Sequence, residues 1–285
     1  MGPTTLGTGR SGSPKVHPDR HLSRHDRTQS VGRHWNSWGC EVDPPCPSGG
    51  DQETHRQKGE SRNLDEYKQV EKGWLEQFKE MSESDSVPIH PLRLIREVRE
   101  FFPQDAISVI DGGNTTVWCL YVNRVYEPNT YLNSASGDSG HLGSGLPYAI
   151  AAKLAAPSKQ VYCITGDGAF GFNIQELETA SRLKLPLVFA VANDSAWGMI
   201  RSGQTLVYGK RYVGVDLSDI RYDRIAQAMN CYGERILEPS GIKPALRRSL
   251  DSKLPAVLDV VVDREAIPPD FQVLASVWLD GCELP

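Results

Sequence analysis

The chain has 285 residues and a formal net charge of −5, a length that suits one large domain or two ordinary ones. The negative balance argues against a dedicated nucleic-acid-binding protein, because no basic excess is left for phosphate contacts. No run of 18 apolar residues predicts a membrane-spanning helix, and the first residues lack the apolar core of a secretory signal.

Residues 1–63 are predicted to be a low-complexity, disordered leader. Large apolar side chains are few here, and Gly, Ser, Pro, Arg and His predominate. Such a segment cannot bury enough apolar surface to offset the entropy lost on ordering. Residues 64–265 are predicted to form one domain, and residues 266–285 a C-terminal tail.

The domain is predicted to begin with two helices. Apolar residues recur at helical spacing from Leu64 to Met81, which predicts an amphipathic helix. A second helix follows the Pro88–Pro91 segment and ends before Pro103.

The rest of the domain alternates between short apolar strands and helices. The predicted strands cover residues 106–110, 131–135, 160–165, 187–192, 233–237 and 256–262. The predicted helices cover residues 115–125, 143–154, 174–183, 221–229 and 242–252. Strands that are continuously apolar and are each followed by a helix indicate an α/β fold, with a doubly wound parallel sheet covered by helices on both faces.

The six cysteines are scattered along the chain without a CxxC pair, so the sequence does not predict a cysteine metal site. Cys119, Cys163 and Cys231 lie among apolar residues. This setting is typical of buried, reduced thiols, and it predicts a cytoplasmic protein.

Polar residues follow two neighbouring predicted strands. Gly166-Asp167-Gly168 follows one strand, and Asn193-Asp194 follows the next along the chain. Ligands of parallel sheets bind at the carboxyl ends of the strands, where carboxylate and amide oxygens suit Mg2+, an ion that commonly bridges to phosphates. The sequence therefore predicts a site for Mg2+ and a phosphate-bearing ligand.

The spacing around this motif is more specific than the motif itself. The stretch from Ile150 through Pro157 and Tyr162 to Gly166-Asp167-Gly168-Ala169 resembles the signature of thiamine-diphosphate enzymes, and so do the 173–180 and 197–199 segments. Residues 64–263 are similar to the C-terminal, diphosphate-binding domain of the acetolactate synthase, 2-oxo acid decarboxylase and 2-hydroxyacyl-CoA lyase superfamily.

This resemblance implies a metal site for Mg2+. Asp167 matches the first ligand, Asp194 the second, and the backbone carbonyl of Ala196 the third. Asn193 is the candidate for the second ligand if the register slips by one residue.

The resemblance also implies residues that bind thiamine diphosphate. Leu142 matches the apolar residue that holds the cofactor in a bent conformation, and the neighbouring His141 is a candidate for substrate contact. The other implied cofactor-binding residues are Asn114, Thr115, Gly140, Gly166, Gly168, Ala169, Trp197 and Met199.

One group of the family's active site has no counterpart in this sequence. A glutamate of the pyrimidine-binding domain normally activates the cofactor, and Glu41, Glu53 and Glu60 lack the apolar strand setting that this role requires. The resemblance therefore implies a lyase or transferase of 2-oxo acids that is active only in a homo- or hetero-oligomer with a pyrimidine-binding subunit.

Three alternatives remain open at this point. The chain could be a non-catalytic or truncated cofactor-binding subunit, or an enzyme of the 2-hydroxyacyl-CoA lyase type. A Rossmann nucleotide binder is disfavoured, because no GxGxxG follows the first strand and Asp167 stands where a pyrophosphate would approach.

Overall fold

A computed structural model of the chain describes residues 60–133 and 140–271. The predictions for residues 1–59, for 134–139 and for 272–285 lie outside the described residues and stay predictions. Within the described part, helix α1 begins at Glu60, four residues before the predicted start of order.

In the described ranges, three helices precede the sheet. They are α1 (Glu60–Gln77), the single turn α2 (Lys79–Ser82) and α3 (Pro91–Phe101). The predicted helix 64–81 is therefore interrupted at Phe78. Its apolar stripe is only partly covered, because Phe78 is buried whereas Tyr67 and Val70 are 72% and 65% exposed.

Six parallel strands of the described residues form one sheet. They are β1 (Ile107–Ile110), β2 (Tyr131–Asn133), β3 (Val161–Gly166), β4 (Val188–Asn193), β5 (Tyr232–Ile236) and β6 (Ala256–Val261). Their order across the sheet is β2-β1-β3-β4-β6-β5. The chain winds outward in opposite directions from β1 and β3, so the gap between these two strands is the topological switch point at which such sheets bind ligands.

Helices connect the strands. They are α4 (Asn114–Val122), α5 (Gly145–Ala155), α6 (Asp167–Phe172), α7 (Glu176–Arg182), α8 (Gly198–Val207), α9 (Tyr222–Ala228) and α10 (Ile242–Asp251), with a 3-10 turn at Pro239–Gly241. The sequence predicted neither α6 nor α8 as a helix. Both segments contain glycines near the start and in the interior, and glycine disfavours helix formation.

The helices pack on both faces of the sheet, as predicted. Along β3, Tyr162 and Ile164 face a core shared with α3, α4 and α10, whereas Val161 and Cys163 face a core shared with α5, α7 and α9. Both faces being buried explains why the strands read as continuous apolar runs. The fold class is therefore the doubly wound α/β sheet that the sequence indicated.

Two smaller expectations can be compared with the described residues. Cys119, Cys163 and Cys231 are buried free thiols, and burial raises the pKa of each thiol. No helix in the described ranges is long and apolar enough to cross a membrane.

Candidate functional site

A cavity of about 470 Å³ opens at the carboxyl edge of the sheet, at the switch point between β1 and β3. It brings together twelve of the residues singled out from the sequence: Asn114, Thr115, Gly140, Leu142, Gly166, Asp167, Gly168, Ala169, Asp194, Ala196, Trp197 and Met199. Asn193 and His141 are not among its lining residues.

Asp167 lies at the floor of this cavity, where β3 ends and α6 begins. Its side chain is almost inaccessible, because the residue is only 2% exposed. Oδ1 accepts a hydrogen bond from the backbone N–H of Gly168 at 2.8 Å, whereas Oδ2 is buried without a partner. A buried carboxylate oxygen in this state is unfavourable unless a cation or a proton joins it.

Asp194 follows β4 and turns its carboxylate toward the same region. Oδ1 accepts the backbone N–H of Ala196 at 3.1 Å, which closes a tight turn with Ser195 at φ 52°. The second oxygen lies close to Gly198 and Asn114, since a methyl group placed on Gly198 would lie 2.6 Å from Asp194 Oδ2 and 3.2 Å from Asn114 Nδ2.

The two carboxylates disturb each other's ionisation. Burial raises the pKa of Asp167, and the negative charge of Asp194 raises it further. Burial also raises the pKa of Asp194, while the N–H of Ala196, the interaction with the carboxyl group of Asp167 and the charge of Arg264 oppose that shift. Burial and like-charge repulsion are the two effects that a bound cation would reverse.

Asn193, the alternative metal ligand, is occupied elsewhere. Its Nδ2 donates to Asp259 Oδ1 at 2.8 Å and to the backbone carbonyl of Ile220 at 3.2 Å. Its Oδ1 accepts the backbone N–H of Ser195 at 3.2 Å. Asn193 is 2% exposed, and its bond to Ser195 stabilises the turn. Asp194, and not Asn193, lines the cavity.

Unpartnered polar atoms are concentrated at the cavity. Within the described ranges, six buried side-chain polar atoms have no hydrogen-bond partner. Four of the six belong to residues that line the cavity: Asn114 Oδ1, Thr116 Oγ1, Trp118 Nε1 and Asp167 Oδ2. Folded proteins leave few such atoms unpaired, so this wall has the properties of a binding site for a polar ligand.

The donor set suits a small hard cation that shares its coordination with a ligand. In the part of the chain that the structure describes, no group of three or more His, Cys, Asp or Glu could hold a metal. Two carboxylates alone suit Mg2+, which is commonly bound by one or two carboxylates and completed by phosphate oxygens and water.

Aromatic and apolar side chains close one side of the cavity. The ring of Trp197 lies so near Gly168 that a methyl group there would be 2.5 Å from Trp197 Cζ3. Met199, 37% exposed, packs similarly against Gly113. Glycine at 168 therefore lets the backbone after β3 pass beneath the indole.

Asp111, at the end of β1, is a site residue that the sequence analysis did not single out. It is 0% exposed, and its carboxylate accepts the backbone N–H groups of Gly112, Gly143 and Gly145 at 2.7, 3.0 and 2.8 Å. These bonds tie the strand to the loop that contains Leu142. The available signal was an acid directly after a buried strand, but two of its three partners, Gly143 and Gly145, lie 32 and 34 residues away.

Comparisons with known proteins agree with this geometry. The family described as "Thiamine pyrophosphate enzyme, C-terminal TPP binding domain" matches residues 111–260. A probable acetolactate synthase of Mycobacterium bovis is 37% identical over 191 residues, which is 67% of this chain and 35% of that protein. The 2-hydroxyacyl-CoA lyase 2 of Caenorhabditis elegans is 36% identical over 166 residues, 58% of this chain and 25% of that protein.

A solved structure shows the same architecture. The thiamine diphosphate-dependent 4-hydroxybenzoylformate decarboxylase of Rhodococcus jostii RHA1 matches with a TM-score of 0.58 and 27% identity, over 63% of this chain and 34% of that one. The chain thus spans about a third of the length of the relatives it matches. Since the family match covers more than half of its 285 residues, the chain belongs to the thiamine pyrophosphate enzymes, as their C-terminal TPP-binding domain.

Proposed function

We propose that this chain binds thiamine diphosphate through Mg2+ and forms the diphosphate-binding half of an active site that makes or breaks a C–C bond next to a carbonyl. The observation that supports this proposal best is the pair of buried carboxylates, Asp167 and Asp194, with an unpartnered Asp167 Oδ2 at the switch point of the sheet.

The metal would be held by three groups of the chain. Asp167 and Asp194 supply carboxylate oxygens, and Ala196 supplies its backbone carbonyl at the end of the turn that Asp194 closes. A divalent cation offsets the burial that raises the pKa of both carboxyl groups and the repulsion that raises the pKa of Asp167 further. Ligand phosphates would complete its coordination.

The diphosphate would lie between the ends of β1 and β3. Helix α4 begins there at Asn114, whose Nδ2 is held by Ser202 Oγ at 2.9 Å while its Oδ1 has no partner. Thr115 and the Gly166–Ala169 backbone line the same wall. The first N–H groups of a nine-residue helix together with exposed backbone around glycines suit phosphate oxygens.

The rings of the cofactor would lie over the loop that contains Gly140 and Leu142, with Trp197 and Met199 at the side. Bound thiamine diphosphate supplies a carbon nucleophile and an electron sink for chemistry next to a carbonyl. The chain's own residues position that group and exclude water from it. The substrate class is a small 2-oxo acid or acyl compound, and the activating glutamate comes from a pyrimidine-binding region in a homo- or hetero-oligomer.

Calorimetric titration of the full chain with thiamine diphosphate tests this proposal. We expect saturable binding with Mg2+ present and at least about 100-fold weaker binding in a chelator. Asp167→Ala should remove the Mg2+-dependent part, whereas Asp105→Asn, an exposed control before β1, should bind as wild type. Binding that is indifferent to Mg2+ and to Asp167 would contradict the metal assignment.

A further inference from the structure

Both backbone polar groups of Gly143, its N–H and its carbonyl, are hydrogen-bonded by buried or half-buried side chains. Its N–H donates to Asp111 Oδ2 at 3.0 Å, and its carbonyl accepts Asn173 Nδ2 at 2.7 Å. Asp111 comes from the end of β1 and Asn173 from the segment after α6. Two separate elements of the fold therefore hold the two consecutive peptide groups that meet at Gly143.

The backbone of the loop requires glycine at position 143. Gly143 has φ 91°, a value that favours glycine, and a methyl group there would lie 2.5 Å from Phe172 Cβ. Asp111 also accepts the N–H of Gly145 at 2.8 Å, so the same carboxylate fixes two peptides of the turn. The N–H of Gly143 belongs to the peptide group that begins at the carbonyl carbon of Leu142, so its hydrogen bond to Asp111 restricts the backbone at Leu142, which lines the cavity.

The chemistry of Asp111 differs from that of the acids on the cavity floor. Its carboxylate is fully buried and accepts three backbone N–H groups. It is not among the residues that line the cavity. A carboxylate saturated by N–H donors has little capacity left for a cation, and it fixes its donors strongly because hydrogen bonds to charged groups are the strong ones.

We propose that Asp111 and Asn173 are positioning residues that hold the 140–145 loop so that Leu142 supports the rings of the bound cofactor. This inference rests on the proposed function for the identity of the ligand. It predicts that the two parts of the cofactor are bound by different groups. The metal and the residues at the ends of β1 and β3 bind the diphosphate. Asp111 and Asn173, together the Asp111–Asn173 clamp, affect only the binding of the cofactor's rings.

Two measurements on the full chain separate these contributions. The first is hydrogen–deuterium exchange of the peptide containing Gly143 and Gly145 in the ligand-free protein, for wild type, Asp111→Asn, Asn173→Ala and the exposed control Asp105→Asn. The second is titration with thiamine diphosphate and, separately, with inorganic pyrophosphate, both in Mg2+. Thermal unfolding confirms that each variant is folded.

We expect the loop to exchange faster than in wild type in both Asp111→Asn and Asn173→Ala. In Asp105→Asn the exchange rate of the loop should equal that of wild type. Affinity for thiamine diphosphate should fall about tenfold or more in both clamp variants, because a loosened loop must be ordered on binding. Affinity for pyrophosphate should stay within about twofold, because the diphosphate groups are untouched.

Unchanged loop exchange in both variants would overturn the clamp itself, whatever the ligand. Faster exchange with unchanged thiamine diphosphate affinity, or with an equal loss for both ligands, would overturn the positioning role. If wild type binds neither ligand, the proposed function fails and the positioning role fails with it, while the exchange result still decides whether the clamp exists.

Discussion

Asp111 and Asp167 follow neighbouring parallel strands at the same edge of the sheet, and both are almost completely buried. Asp111 accepts three backbone N–H groups. Asp167 accepts one, its second oxygen has no partner, and burial together with Asp194 raises its pKa. An aspartate at the end of β1 thus completes the hydrogen bonding of the fold. An aspartate at the end of β3 keeps a buried carboxylate oxygen without a partner.

The difference shows how a structural acid can be told from a ligand-binding one. A buried carboxylate that is saturated by N–H donors stabilises the loops that supply them. A buried carboxylate that is only half paired and faces another acid costs free energy in the ligand-free protein. Such a cost is expected at a binding site, where the ligand relieves it.

The largest expected effect is a contrast in stability between these two positions. Asp111→Ala should lower the free energy of unfolding by about 3 kcal/mol, because three buried N–H groups lose their acceptor. Asp167→Asn should raise it by about 1 kcal/mol in the metal-free protein, because a buried charge is removed. Urea unfolding at pH 8 with a chelator measures both changes in the free energy of unfolding. Changes of the same sign in the two variants would contradict the distinction between Asp111 and Asp167.

The next effect distinguishes the neighbours Asn193 and Asp194. Asp194→Asn should weaken Mg2+-dependent binding of thiamine diphosphate on the order of 100-fold, since one of two carboxylate ligands is lost. Asn193→Ala should weaken it less than about tenfold, but it should lower stability by about 2 kcal/mol because Asp259 loses its amide partner. The reverse ranking in titrations would reassign the ligand to Asn193.

The smallest effect is a pH dependence. In the ligand-free fold, burial raises the pKa of both Asp167 and Asp194 above the ordinary aspartate value of 3.8. Their contribution to stability is therefore fully present at low pH and is lost as pH rises through the raised pKa values. Asp167→Asn should flatten this decline, and saturating Mg2+ with thiamine diphosphate should do the same.

Melting temperatures across this pH range measure that decline. The variant isolates the carboxyl pair from His90, whose pKa is lowered by burial. A wild-type protein whose metal-free stability rises with pH as steeply as that of Asp167→Asn would show that the pair does not titrate in the folded state.

Most of the sheet was predictable because buried parallel strands have a plain sequence pattern. All six strands were expected, and the bounds of β3 and β4 differ from prediction by one residue at each end. Helices α6 and α8 were missed, since both contain internal glycines and tertiary contacts override their weak helix propensity. The apolar stripe of α1 predicted burial that Tyr67 and Val70 do not have.

The site was predictable where neighbouring residues in sequence act together. Asp167 with its two glycines, and Asp194 with Ala196, are local patterns that the strand ends bring to one edge. The contacts of Asp111 and Asn173 were not predicted, because their shared partner Gly143 lies 32 and 30 residues away and no local spacing indicates them. The hydrogen bond from Asn193 to Asp259 likewise could not be read from local sequence, because Asp259 lies on another strand.

The most direct test is an anomalous-difference map from crystals of the full chain grown with thiamine diphosphate and Mn2+ in place of Mg2+. The proposed metal site predicts one metal peak at the switch point, about 2.1 Å from oxygens of Asp167, Asp194 and the Ala196 carbonyl, with the diphosphate completing the coordination. A diphosphate bound without metal between these carboxylates, or a metal held by Asn193, would contradict it.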